Sequence, residues 1–146
     1  MKNVKVEIIN KSKYPLPEYA TKGSAGADLY ANIDEDIILR QGEIYLIPTG
    51  IYIKLPVGYE AQIRARSGLS LKHGVTLVNG IGTIDSDYRG EIGIIITTLK
   101  NEPFRVTPGM KIAQMVISKH EIAEFTEVEN LDKTDRGEGS FGHSGV

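Results

Sequence analysis

Five stretches of this chain hold polar or glycine-rich residues where an alternating strand rhythm would place something else. The sharpest runs Asn79-Gly-Ile-Gly-Thr-Ile-Asp-Ser-Asp-Tyr-Arg-Gly-Glu-Ile-Gly93. Asp85 and Asp87, at the mouth of its polar loop, have the chemistry of a general base or of cation ligands. A hairpin with a solvated acidic tip is the plainer alternative, because Asn79-Gly80 is a strong two-residue turn signal. Gly93 interrupts a run of isoleucines, and a glycine inside a strand often marks close approach of a ligand or of another backbone. In Arg64-Ala-Arg-Ser-Gly-Leu-Ser70, two arginines alternate onto one face before Ser67-Gly68 breaks into a short helix. A guanidinium, a hydroxyl and a glycine amide at a helix start can cradle a phosphate. A charged strand face with an ordinary cap is the other reading.

The remaining three stretches are weaker. In Ser24-Ala-Gly-Ala-Asp-Leu-Tyr30, small residues let backbones approach and leave Asp28 to face a cation or an arginine; alone, the piece reads as a turn entering a strand. Gln114 breaks the apolar run after Pro108-Gly109, and a buried amide needs a partner, which a cross-strand hydrogen bond would supply. Arg136-Gly-Glu-Gly-Ser-Phe-Gly-His-Ser-Gly145 is a glycine-rich loop of the kind that exposes amides to phosphates. A merely flexible tail has no need of the single arginine and single aromatic embedded in it.

The elements that must position these residues are strands. Val, Ile and Thr number 37 against 18 Ala and Leu, and side chains branched at Cβ favour a pleated surface over a helix. Short apolar or alternating runs recur at Val4–Ile9, Ile37–Arg40, Ile44–Ile47, Ile51–Leu55, Tyr59–Ala65, Thr76–Val78, Glu91–Leu99, Phe104–Val106, Ile112–Ser118 and Ile122–Val128, separated by Gly and Pro turns. One short helix fits, from Ser67 to about His73, with Ser67 or Ser70 as N-cap and Gly74 as its stop. The fold class is therefore all-β. Glu127–Val146 differs: five acids, two bases and four glycines within nine residues bury too little to offset ordering entropy. Residues 1–128 read as the domain and 129–146 as a mobile glycine-rich C-terminal arm.

Composition narrows the function. The 146 residues carry 17 Lys+Arg against 19 Asp+Glu, a net charge of −2, with no cysteine. Without cysteine there is no disulfide scaffold, thiolate zinc site or cysteine nucleophile. The slight acidic balance argues against a general nucleic-acid binder. No apolar run approaches the ~20 residues of a membrane helix, and the start lacks a signal peptide's apolar stretch. The expectation is a cytoplasmic protein that binds neither nucleic acid nor membrane.

In order and spacing, the five stretches together resemble the five motifs of the trimeric dUTPase family. The resemblance runs from the first strand to the last residues and is closest at Gly82-Thr-Ile-Asp-Ser-Asp-Tyr-Arg-Gly90. Departures are Ser140 where the family usually has glycine, His143 where it has serine, and Lys111 where arginine is common. The resemblance implies a jelly-roll-like distorted β-barrel in which three chains share three active sites. It implies Mg²⁺-dependent hydrolysis of dUTP to dUMP and pyrophosphate, which limits uracil incorporation into DNA and supplies dUMP for thymidylate synthesis. Asp85 would be the carboxylate that orients and deprotonates the attacking water. Arg66, Ser67 and Gly68 would contact the phosphates, with Gln114 helping. Asn79 would read the uracil edge together with the backbone of Thr83, Ile84 and Gly93, and Tyr88 would pack under the deoxyribose. Arg136 would clamp the γ-phosphate, Phe141 would stack on uracil, and Gly142, His143 and Ser144 would wrap the triphosphate. Asp28 would bind a water of the Mg²⁺ shell. A dCTP deaminase-like enzyme of the same fold would not be expected to carry the Ile84–Tyr88 signature or this tail. A non-catalytic nucleotide-binding relative would not need Asp85 and Arg136.

Overall fold

The computed structural model of the protein describes residues 2–145; Met1, and Val146 at the end of the expected arm, lie outside it. The strands are β1 (Glu7–Asn10), β2 (Glu18–Tyr19), β3 (Ala27–Tyr30), β4 (Ile37–Leu39), β5 (Tyr45–Pro48) and β6 (Ile51–Lys54). After β7 (Tyr59–Arg64) comes the single helix, α1 (Ser67–His73), then β8 (Val75–Leu77), β9 (Gly82–Ile84), β10 (Gly93–Thr98), β11 (Phe104–Val106) and β12 (Lys111–Lys119). The chain is all-β with one short helix, as composition indicates. Every paired strand is antiparallel: β1 with β6, β11 with β4, β5–β10–β8, and a five-stranded sheet ordered β2–β3–β12–β7–β9.

Alternation along the strands builds one core. In β10, Ile94 and Ile96 are fully buried while Ile95 between them is half-buried. Leu29, Leu39, Ile47, Ile63 and Ile112 join them from five other strands and close the interior. Burial of each such side chain is worth ~1.5–3 kcal/mol, enough to fix strand register wherever one face is buried.

Three sequence expectations change. Asn79-Gly80 does turn the chain, with Gly80 at φ 71°, but it joins no hairpin. β8 pairs with β10 and β9 with β7, so the turn carries the chain from one sheet into another. A two-residue turn fixes a reversal; the choice of ladder belongs to the edges that are open. The helix is capped by Arg66 with no side-chain hydrogen bond, rather than by Ser67 or Ser70. Ser70 Oγ instead donates to Val75 O at 2.8 Å, which leaves Gly74, at φ 66°, as the stop that was expected. Ile122–Val128 forms no strand: Ile122 and Phe125 are exposed and nothing pairs with them. Strand propensity needs a ladder partner, and the last strand ends at Lys119.

Candidate active site

A cleft of about 620 Å³ opens where β7 passes into α1. Arg64 and Arg66 line it, as their alternation requires, with Ser67, Gly68, Lys72, Asp28 and Gln114. A bulge in β12 aims the last of these contacts. Lys111 pairs with Tyr30 and Gln114 with Asp28, although 111 and 114 are an odd number of residues apart; the register shifts between Lys111 and Ala113. The extra residue brings Lys111 and Gln114 to the same face, as bulges do when they re-aim side chains. Asp28, buried, then meets two cations: Arg66 Nε is 3.3 Å from one carboxylate oxygen and Lys111 Nζ 3.4 Å from the other. Arg66 Nη1 donates to Lys111 O at 2.9 Å, and Gln114 Nε2 to Ala65 O at 3.0 Å. The bend that presents Arg66, Ser67 and Gly68 is thus held from β12. Tyr30 beside them keeps its phenol above the ordinary value, through burial first and the Glu18 charge second.

Among the described residues, Asp28 is the single carboxylate lining this cleft, against Arg64, Arg66 and Lys72. Among the described residues no three of His, Cys, Asp and Glu gather into a metal site. Such a donor set does not fit a bare divalent ion. It does fit Mg²⁺ arriving on a polyphosphate with its waters, for which one carboxylate accepting from a coordinated water suffices.

A second cleft, about 680 Å³, lies between β9 and β10. Asn79, Gly82, Thr83, Ile84, Asp85, Tyr88 and Gly93 line it, so the structure gathers this set of sequence-singled residues in one place. Asp85 is exposed, and its carbonyl accepts from Tyr88 N at 3.2 Å in the turn that follows. Arg89 Nη1 braces that turn on Ser86 O at 2.7 Å and Tyr88 O at 3.0 Å. At Gly93 the neighbour is Leu46: a Cβ there would lie 2.7 Å from Leu46 Cδ1, so the tip of that exposed leucine would have to turn aside. Leu46, Pro48, Glu91 and Ile95 also line this cleft. Sequence reading missed them, because an exposed leucine on an alternating strand carries no signal of its own; the pairing of β5 with β10 could not be read locally.

The two clefts share no lining residue. Ile63 lines the second and Arg64 the first, and successive strand residues point to opposite faces. Among the described residues, the first cleft carries cations, and the second carries the carboxylates Asp85 and Glu91 and no cation. Arg136, Phe141, Gly142, His143 and Ser144 line neither. They lie on an exposed segment that folds on itself: Arg136 Nε donates to Gly139 O at 2.9 Å, and the His143 ring covers Gly139.

A family model described as dUTPase matches residues 12–145. The chain belongs to the dUTPase family. Among its relatives, the deoxyuridine 5'-triphosphate nucleotidohydrolase of Finegoldia magna is 59% identical over 142 residues, covering 97% of this chain and 99% of the relative. That of Fusobacterium nucleatum is 51% identical over 145 residues, 99% of each. Among solved structures, the dUTPase of Staphylococcus bacteriophage 80alpha with dUPNHPP superposes with a TM-score of 0.86 at 29% identity, covering 97% of this chain and 99% of that one. Within this dUTPase frame, Lys111 departs from the family's usual arginine but keeps a cation 3.4 Å from Asp28.

Proposed function

We propose that this protein hydrolyses dUTP to dUMP and pyrophosphate, as a homotrimer in which the first cleft of one chain faces the second cleft of another. The observation that carries the reading is the division just described, cationic cleft on one side and carboxylate cleft on the other. A deoxynucleoside triphosphate has a matching division: an anionic chain at one end, a neutral base and sugar at the other. The relatives' names give the substrate, and the phage structure contains a dUTP analogue.

In this reading Arg66, Ser67 and Gly68 hold the phosphates, with Gln114 fixing their bend. Asn79 and the backbone of Thr83, Ile84 and Gly93 read the uracil edge, while Tyr88 walls the sugar. Asp85 accepts a proton from a water as its oxygen attacks the α-phosphorus in line. The bond from that phosphorus to the bridging oxygen breaks, and pyrophosphate leaves. A positioned base contributes ~10²–10⁴-fold. Mg²⁺ carried in with the phosphates would supply charge neutralisation, and Asp28 is the residue that would accept from one of its waters. Arg136, Phe141, Gly142, His143 and Ser144, in the arm 129–146, close over the site, exclude water and add phosphate donors. Cytoplasmic placement goes with this reading.

The test is incubation with dUTP and, separately, dCTP in the presence of Mg²⁺, with assays for pyrophosphate and ammonia. Pyrophosphate from dUTP without ammonia from dCTP is the expected outcome. Ammonia from dCTP would transfer the protein to deaminase chemistry, and neither product would make it a non-catalytic nucleotide binder.

A further inference from the structure

Tyr88 is fixed at both ends. Its main chain sits in the turn closed by Tyr88 N to Asp85 O, and its hydroxyl donates to Glu91 O at 2.9 Å. Between those anchors the ring lies across Gly90. A Cβ built on Gly90 would stand 2.3 Å from Tyr88 Oη, 2.6 Å from Cζ and 3.0 Å from Cε2, distances no methyl group can share with an aromatic ring.

The backbone does not demand glycine here. Gly90 is absent from the glycines at positive φ, which include Gly80 and Gly74, so an L side chain could adopt its conformation. The three nearest atoms that a methyl would meet all belong to one side chain, that of Tyr88. Alanine at 90 therefore has a low-cost escape: the ring leaves, the hydrogen bond to Glu91 O breaks, and the surrounding strands stay where they are. We infer that Gly90 is a positioning residue for sugar specificity, and that its missing side chain is what lets the Tyr88 ring stand as the wall of the second cleft.

This rests on the reading of Tyr88 as the wall beside the deoxyribose. A wall that excludes a 2′-hydroxyl by shape alone discriminates by roughly 10²-fold, so a displaced ring forfeits discrimination up to that scale. Gly90→Ala should raise the ratio of kcat/KM for UTP to that for dUTP by about 10-fold or more, with Tm little changed. Tyr88→Phe, which frees the ring's far end but keeps it over Gly90, should raise the ratio less. The double variant Gly90→Ala/Tyr88→Ala should match Tyr88→Ala alone, because the glycine acts only through the ring. A general loosening of the loop would lower both activities together and leave the ratio unchanged. A Gly90→Ala ratio equal to wild type in folded protein overturns the inference while leaving dUTP hydrolysis intact; wild-type protein inert toward dUTP overturns both. If Gly90→Ala does not fold, Gly90→Ala/Tyr88→Ala decides: with the ring gone nothing stands over the added methyl, so the double variant should fold like Tyr88→Ala, and its failure to fold would overturn the inference.

Discussion

Gly26 and Gln114 divide a single volume. A Cβ on Gly26 would lie 2.2 Å from Gln114 Oε1, so the glycine exists to admit the amide that holds Ala65 O. Gly26→Ala should push Gln114 out and unfasten the bend carrying Arg66 and Ser67. The expected cost is about 1 kcal/mol of stability for the lost hydrogen bond, with a raised KM for dUTP and a smaller change in kcat. Steady-state kinetics beside thermal melts check it; an unchanged KM removes Gln114 from the bend. Asp85 calls for a different probe. Asp85→Asn keeps the shape of the side chain and removes its basicity, so single-turnover dUTP cleavage should fall by ~10²–10⁴-fold while a non-hydrolysable analogue still binds. Cleavage within a few-fold of wild type would take Asp85 out of the base role. The identities of these side chains were legible in the sequence, since Asp85, Arg66, Ser67 and Gln114 stand out by type. Their reasons were not. That Gly26 serves Gln114, or that Lys111 turns toward Asp28, depends on which strand lies beside which.

Strands illustrate the same limit one level up. The alternating runs around β7, β10 and β12 announce themselves because their apolar residues face a core. β9 and β3 are harder to read, being short and built largely from small or polar residues; the turn signals before them point to strands, but their ladder partners in β7 and β12 appear only in the fold. The bulge in β12 left no mark in an apolar run, yet it puts Lys111 and Gln114 on one face. Ile122–Val128 fails in the opposite sense, having strand-forming residues that pair with no strand among the described residues. From Glu121 to the last described residue nearly every position is exposed. Removing residues after Asn130 should therefore leave Tm within a few degrees, because few buried contacts are lost. It should sharply reduce turnover, because Arg136 and Phe141, proposed to close over the site, go with it. Differential scanning calorimetry and a dUTP assay separate the two effects, and a large fall in Tm without nucleotide would make the arm a structural part of the fold.

For the molecule as a whole, the arrangement of the two clefts matters more than the content of either. A cationic cleft and a carboxylate cleft on opposite faces of one strand are complementary surfaces, and in the proposed trimer copies related by a closed rotation would bring them together heterologously. Local spacing in the sequence picks out the residues of the two clefts but not their division between opposite faces of β7, because spacing carries no information about which face a neighbouring strand covers. Association near three times 16.0 kDa by sedimentation equilibrium is the first consequence. The most direct test is complementation. Arg66→Gln disables the first cleft and Asp85→Asn the second, and each variant alone should be nearly inactive. Refolded together in equal amounts, they should recover about a quarter of wild-type dUTP hydrolysis, since random assembly of a closed ring pairs an intact first cleft with an intact second cleft at that frequency. A mixture no more active than its parents would contradict a site shared between chains.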